Sequence, residues 1–299
     1  MTKTQHGIVA CVIGATTWGF NGVVSQFLLS HYPVEPSWLA SIRMCLAGLF
    51  LTLMVLPTKR AEIHQMLHDP VSLRHLVLFA LFGLILSQFS YLSAIKNSNA
   101  GTATVLQTLS VVLMSLYLAV RFHKRPTGRE ILSVFLAFGG VYLAATNGNP
   151  STMVISPLGL TWGLIGAIAC VTYPVLSQGL AANWGAAVAN GLGMIIGGVF
   201  LSLTLQVWTV WPALDLTGWL AVAFIVIIGT ALSFTAFVTG ISEIGPMKAT
   251  LLGTLEPVVA SVTSAIALGT TFHTVELIGY ACIIATVFII ILQKKPAIS

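Results

Sequence analysis

Ten apolar stretches of about 20 residues, separated by short connections, constrain this chain more than any other feature it carries. A helix rises about 1.5 Å per residue, so about 20 residues cross a hydrocarbon layer of about 30 Å. Within lipid, only helices and closed barrels satisfy their own backbone groups. The stretches lie near 7–30, 36–56, 74–95, 99–121, 127–146, 158–180, 185–206, 215–242, 247–268 and 273–292, with Pro33, Pro36, Pro57, Pro126, Pro157, Pro212 and Pro246 at or near the connections. The first stretch has no small-residue cleavage site and nine more follow, so it reads as a retained helix and not a signal peptide. The expected fold is an all-α integral membrane protein of ten transmembrane helices.

Composition agrees, because 57% of residues are hydrophobic, 7% are charged and the mean hydropathy is +0.95. A water-soluble chain of 299 residues would need far more charge on its surface than eight acids and thirteen Lys or Arg provide. The longest connection, Pro57 to Leu73, places Ile63, Met66 and Leu67 at helical spacing among Lys59, Arg60, Glu62 and His64, which suits a short interfacial helix.

With the N-terminus on the cytoplasmic side, that side carries Lys3, Lys59, Arg60, Arg74, Arg121, Lys124, Arg125, Arg129, Lys248, Lys294 and Lys295, and the outer side carries Lys96. The positive-inside bias therefore puts both termini in the cytoplasm, and Trp208 and Trp211 fall at the outer interface. The expected location is a bacterial inner membrane. The net charge of +5 does not imply nucleic acid, since the basic residues are scattered through the loops. Cys11, Cys45, Cys170 and Cys282 lie inside apolar stretches at unrelated spacings, showing neither a disulfide framework nor a metal-ligand pattern. His64 and His68, four residues apart, read as solvated loop residues. No cofactor, metal site or catalytic group is expected. The expected partners are a small-molecule substrate and membrane lipid, with the chain a monomer and a dimer as the alternative.

An internal repeat organises the ten stretches. Residues 103–115, ATVLQTLSVVLMS, align without gaps to 249–261, ATLLGTLEPVVAS, with seven of thirteen positions identical. Residues 14–28, GATTWGFNGVVSQFL, align to 166–180, GAIACVTYPVLSQGL. Both matches pair stretch n with stretch n+5, so residues 1–149 and 150–299 read as two copies of a five-helix unit. An odd number of spans per copy turns the second upside down, and inverted repeats of this kind are a device of secondary transporters, with the site near the midplane between the halves.

Trp18-Gly19-Phe20-Asn21, Pro36 followed by Arg43, Arg125-Pro126, and Gly245-Pro246 through Leu255-Glu256-Pro257-Val258 resemble the drug/metabolite transporter superfamily, in particular transporters built of two EamA-type repeats. The resemblance spans nearly the whole chain. It departs at Ser110-Val111, where members often carry a proline, and at Gly269-Thr270, where they often carry Gly-Glu. It implies a transporter rather than an enzyme. Among members, bacterial exporters of amino acids, particularly aromatic ones, look most similar.

Glu256 is the carboxylate that stands deep in a stretch, roughly 13 Å from its start by helical rise. An acid at that depth is costly when charged and is a functional candidate. Three roles are open to it: bracing helices around Pro257, binding a substrate ammonium, or carrying a coupling proton. Arg43 is the intramembrane cation, seven residues from the outer end of its stretch; it can snorkel outward, pair with Glu256 or dock a substrate carboxylate. With Arg43 as the available partner, Glu256 reads as a brace and transport as passive or weakly coupled. Trp18, Asn21 and Ser25 share a helical face, as do Gln88 and Tyr91, and Gln107, Ser110 and Met114; Trp162, Gly166, Ala169 and Tyr173 do the same, with Gln178 further along. The expected substrate-binding set is Trp18, Asn21, Arg43, Gln88, Tyr91, Gln107, Trp162, Tyr173, Gln178 and Glu256, a cavity with aromatic walls and a few amides. The competing account has the polar groups bonding helices together while aromatics fill space. Glycines 191, 193, 197 and 198 in the seventh stretch allow close approach of helices.

The leading expectation is a secondary transporter that exports amino acids or similar small metabolites by alternating access. No G-x-x-x-x-G-K-[ST] loop is present for ATP-driven transport, and no H-E-x-x-H or G-x-S-x-G supports an intramembrane enzyme. Export of drugs or nucleoside-like metabolites is the alternative within transport, and a non-transporting sensor the alternative outside it.

Overall fold

A computed structural model describes residues 2–121, 128–149 and 155–291 of the chain, all of whose regular structure is helical. Ten helices form: α1 (Lys3–His31), α2 (Pro36–His68), α3 (Pro70–Lys96), α4 (Ala100–Arg121), α5 (Gly128–Thr146), α6 (Pro157–Trp184), α7 (Ala186–Leu205), α8 (Leu216–Ile244), α9 (Pro246–Gly253 continued by Leu255–Leu268) and α10 (Thr274–Ile291). Eight are long and apolar enough to cross a membrane; the apolar parts of α5 and α10, Ile131–Thr146 and Thr274–Thr286, are shorter. Lys124, Arg125, Pro126, Lys294 and Lys295 lie outside the described residues.

Local chemistry sets the ends. Proline opens α2, α3, α6 and α9, where its missing N–H is not needed. Side chains of Asp69, Asn99, Ser156 and Asp215 cap the first turns of α3, α4, α6 and α8. Gly185, Gly245 and Gly269 end α6, α8 and α9 at φ of 89°, 84° and 63°, a region where a side chain would be strained. The expected interfacial helix exists, but as a continuation of α2 past a kink at Lys59, two residues after Pro57. Ile63 and Met66 turn inward there while Leu67 is exposed.

The packing has the symmetry of the repeat. α2 packs against α7 and α5 against α10, each helix on its own repeat mate. α1 against α8 is matched by α6 against α3, and α1 against α9 by α6 against α4. The mates run antiparallel: Gly198 sits on Cys45 and Gly191 on Thr52, while Gly140 sits on Ile283 and Gly279 on Ala144. Five spans per unit require that inversion.

Two irregularities recur in both halves. α3 contains wide π-helical turns at Phe79–Ile85 and α8 at Ile227–Leu232. α4 is interrupted at Thr108 and Leu109, and α9 at Thr254. The repeat alignment pairs Thr108 with Thr254. In α9 Pro257 supplies a cause, since it cannot donate to the Gly253 carbonyl. In α4, with Val111 at the matching place, the turn tightens instead: Leu109 N bonds Leu106 O and Val111 N bonds Thr108 O.

Candidate functional site

The interruptions of α4 and α9 meet inside the bundle around a cavity of about 90 Å³. α1 contributes Trp18 and Asn21, α2 Arg43, and α3 Ser87, Gln88 and Tyr91. α4 presents Thr104, Gln107, Thr108 and Ser110, and α9 presents Thr250, Gly253, Thr254, Glu256 and Pro257. The first four α9 residues are the repeat mates of those four α4 residues. α6 presents Cys170, Tyr173 and Pro174, of which the first two are mates of Trp18 and Asn21. The cavity therefore lies on the symmetry axis of the two halves.

The glycine inside each wide turn lets a facing helix come close, α1 onto α8 and α6 onto α3. Gly229, inside the α8 turn, lies against the Asn21 side chain, and Gly83, inside the α3 turn, lies against Tyr173, the mate of Asn21. A Cβ at Gly229 would overlap the Asn21 amide. Trp18 packs at 4.7 Å from Phe234, 4.6 Å from Phe237 and 6.5 Å from Tyr173 between ring centroids, and Tyr173 lies 5.4 Å from Phe234. These four rings make one wall.

Polar groups make up the rest of the lining and are incompletely bonded, as are the polar atoms that Trp18 and Tyr173 carry on the ring wall. Arg43 is buried and donates through Nη2 to the Gln88 carbonyl at 2.9 Å, while its Nε has no partner. Trp18 Nε1, Asn21 Oδ1, Gln88 Nε2, Tyr91 Oη and Tyr173 Oη are likewise buried without a hydrogen bond of good geometry. Leaving a buried polar group unpaired costs about 1–3 kcal/mol; Arg43 Nε, Trp18 Nε1, Asn21 Oδ1 and Gln88 Nε2 bear that cost here, whereas the Tyr91 and Tyr173 hydroxyls have Glu256 and Asn190 as polar neighbours. Glu256, in the first turn of the second α9 segment, is half-buried beside Tyr91 and within electrostatic range of Arg43. No ion pair joins Arg43 to Glu256 among the described residues.

Eight of the ten expected residues thus stand around this cavity: Trp18, Asn21, Arg43, Gln88, Tyr91, Gln107, Tyr173 and Glu256. Arg43 does not snorkel, because its guanidinium is held inside by the Gln88 carbonyl. Trp162 and Gln178 are not brought to it. Trp162 lies near the start of α6 with its ring 5.2 Å from Phe89, and Gln178 lies exposed beyond Pro174. Helical spacing placed both on the inward face, but α6 runs past the cavity at each end.

Phe234, Phe237 and Thr250 were not singled out in the sequence. Phe237 stands where the 148-residue spacing of the two wide turns pairs it with Phe89, so the repeat itself carried the signal. A second buried carboxylate, Glu276 of α10, also escaped notice. It sits in the first turn of its helix, where an acid reads as a cap. His64 and His68 stack at 4.0 Å on the exposed end of α2, His68 Nδ1 lying 2.8 Å from the His64 carbonyl oxygen, and the four cysteines are free.

Comparison with known proteins agrees with this architecture. The family described as "EamA-like transporter family" matches residues 5–146 and 157–292, one match in each half. The uncharacterized inner membrane transporter YicL of Salmonella typhimurium is 30% identical over 99% of this chain and 98% of its own. The uncharacterized transporter YyaM of Bacillus subtilis is 25% identical over 87% of each chain. The uncharacterized inner membrane transporter YedA of Escherichia coli is 25% identical over 94% of this chain and 91% of its own. One crystal structure superposes over 97% of this chain and 96% of its own, at a TM-score of 0.63 and 18% identity.

Proposed function

The chain belongs to the EamA-like transporter family, and from that premise we propose that it exports small zwitterionic metabolites, amino acids with aromatic or hydrophobic side chains foremost, across a bacterial inner membrane. The observation that supports this reading is a cavity inside the bundle whose lining combines four aromatic rings with Arg43 and Glu256. A guanidinium suits a carboxylate, a carboxylate suits an ammonium, and rings suit an apolar side chain. The second segment of α4 adds a helix N-terminus at Ser110, which favours an anion, whereas Glu256 occupies the matching N-terminus in α9. The site thus has an anion-seeking half and a cation-seeking half, as an α-amino acid requires.

In this reading residues 1–149 and 150–299 are the two rocking units, both termini are cytoplasmic, and the protein acts as a monomer. At about 90 Å³ the cavity is smaller than the ~300–1,000 Å³ of ligand pockets, which fits a narrowed state that widens to admit cargo. The test is counterflow by purified protein in liposomes against a panel of amino acids, decarboxylated amines and N-acetylated derivatives. Uptake of the zwitterions with little uptake of either one-charge analogue is expected. Uptake of amines or neutral drugs in preference to zwitterions would overturn the reading.

A further inference from the structure

A glycine inside a packed helix answers one of three needs: a positive φ, a neighbour standing where its Cβ would be, or the empty space itself. Among the described glycines, Gly148, Gly185, Gly245 and Gly269 have positive φ, and Gly128, Gly139 and Gly179 are exposed. The remainder, Gly253 excepted, have another atom within 3.1 Å of the place a Cβ would take. Gly253 ends the first segment of α9 with φ outside the left-handed region, and it lines the cavity. Neither backbone strain nor crowding requires a glycine there, so what its missing side chain leaves is room in the cavity.

That room faces the ring wall. A Cβ on Gly253 would meet Phe237, 3.4 Å from Cζ and 3.7 Å from Cε2, which is ordinary contact. Phe237 is itself fixed from behind: its Cβ lies close to Gly14 of α1, and its ring centroid is 4.6 Å from that of Trp18. Glu256 follows Gly253 by three residues, about 4.5 Å of helical rise. In the first repeat Gln107 holds the matching position and Ser110 that of Glu256. The Gln107 side chain reaches across to α6, where a Cβ on Gly166 would fall 3.0 Å from Nε2. α4 thus fills with an amide the place that α9 leaves open.

We infer that Gly253 sets the size of the cargo: the side chain of the transported amino acid lies over the Gly253 backbone, against the edge of the Phe237 ring. With the transport reading above as its premise, this placement gives the cargo one orientation. Its side chain and ammonium face the second half, at Gly253 and Glu256, and its carboxylate faces Arg43. A bare backbone admits a flat ring closer by the width of a side chain, and a ring beside Phe237 gains edge-to-face contact. An amide at this place, as in the first half, would occupy the space and demand partners of its own.

The test uses Gly253→Ala and Gly253→Leu. Both fit a helical backbone, and replacing an unstrained glycine by alanine generally stabilises a fold. Counterflow of phenylalanine and of alanine is measured for each protein in liposomes. The ratio of phenylalanine to alanine uptake should fall about tenfold in Gly253→Ala and about 100-fold in Gly253→Leu. Gly139→Ala, on the exposed face of α5, should keep the parent's ratio. An unchanged ratio in the Gly253 variants would place the cargo's side chain elsewhere, and an equal loss of both cargoes would make Gly253 a hinge; either result overturns the inference. A second measurement needs no cargo. With Cys11, Cys45 and Cys282 replaced by serine, Cys170 in the cavity is the remaining thiol. It is labelled with a compact and with a ring-bearing membrane-impermeant maleimide, from each face of oriented vesicles, the far face being the one away from the termini. The rate for the ring-bearing reagent divided by that for the compact one should fall severalfold in Gly253→Leu, and an unchanged quotient would overturn the inference. If the parent carries neither amino acid, the transport reading fails, and this quotient alone decides whether Gly253 sets the size of what the cavity admits.

Discussion

Gln26 and Gln178 occupy the same place in the two repeats and live in different surroundings. Gln26 is the hub of a belt joining α1, α4 and α9, whereas Gln178 is exposed and makes no hydrogen bond in the structure. The contrast extends to the cavity: Thr104 and Thr250, and Thr108 and Thr254, are retained across the halves, but Ser110 is replaced by Glu256 and Asn21 by Tyr173 at the matching positions. Duplication has kept residues at the helix interruptions and diversified others that line the cavity. The two ends of the bundle are held by different bonds, the Gln26 belt at one and, at the other, Trp184 Nε1 on Ser72 Oγ with His6 on Glu243. Exchanging the two arrangements is what alternating access means for such a fold.

The largest expected effect breaks the contrast at the wide turns. Gly229→Val drives a branched side chain into the Asn21 amide, whereas at Gly83 a Cβ meets the Phe79 ring at 2.8 Å and Tyr173 Cα at 3.5 Å. We expect Gly229→Val to destabilise by about 3 kcal/mol, the upper end for overpacking, and Gly83→Val by less. Thermal unfolding in detergent compares them; equal losses would mean that the two wide turns are equally tight. Next in size is the difference within the cavity. Glu256→Gln removes a charged partner worth about 1.5–3 kcal/mol, or about 10–150-fold in flux, while Ser110→Ala should change flux by less than about threefold. Initial rates of counterflow measure both. If Glu256 is a brace only, Glu256→Gln will lower the unfolding midpoint and leave flux per folded molecule intact.

The ten helices, their inverted pairing and most of the cavity lining were legible in the sequence because each depends on a periodic signal. Lipid demands long apolar runs, and the repeat supplies an internal alignment. What was not legible depends on where a helix begins and ends relative to its neighbours. Trp162 and Gln178 have the right spacing to face inward, but spacing says nothing about depth. The interruption of α4 at Thr108 has no proline to announce it; the match to Thr254, four residues from the start-proximal Thr250, was the available sign. Glu276 was hidden by its position, since an acid in a first turn near an interface looks like a solvated cap until Thr102 and Tyr280 are seen to cover it.

The belt itself gives a smaller prediction. Gln26→Ala leaves the Ala100 N–H without its acceptor and separates Ser264 from α1, a loss of about 1–3 kcal/mol. Gln178→Ala removes an exposed side chain and should stay within about 0.5 kcal/mol of the parent. Labelling of Cys170 from the far face should rise in the first variant and not in the second. A rise in both would mean that the two ends are equivalent and that the contrast belongs to one frozen conformation.

The smallest effect concerns a second tie at the same end. Tyr32, just past α1, donates its hydroxyl to Asp215 Oδ1 at 2.6 Å, and Gly218 N donates to that oxygen at 2.8 Å, so the start of α8 is pinned to the end of α1. Those hydrogen bonds, the Tyr32 one foremost, hold the Asp215 carboxyl below the usual aspartate range. A carboxyl whose folded value is depressed contributes stability that is complete above its unfolded value of about 3.9 and is lost as pH falls through the folded value. The parent should therefore lose this contribution only below about pH 4, whereas Asp215→Asn lacks it at every pH. The difference in unfolding midpoint between the two proteins should be small and constant from about pH 8 to about pH 5 and should shrink towards about pH 3. A difference that widened as pH fell would mean that the carboxyl is destabilising when charged. The α1–α8 tie would then have to be credited to the Tyr32 ring lying against Gly218 of α8 instead. Because Asp215 is exposed to solvent, salt should weaken its share of the effect, whereas the neutral belt around Gln26 should not respond to salt.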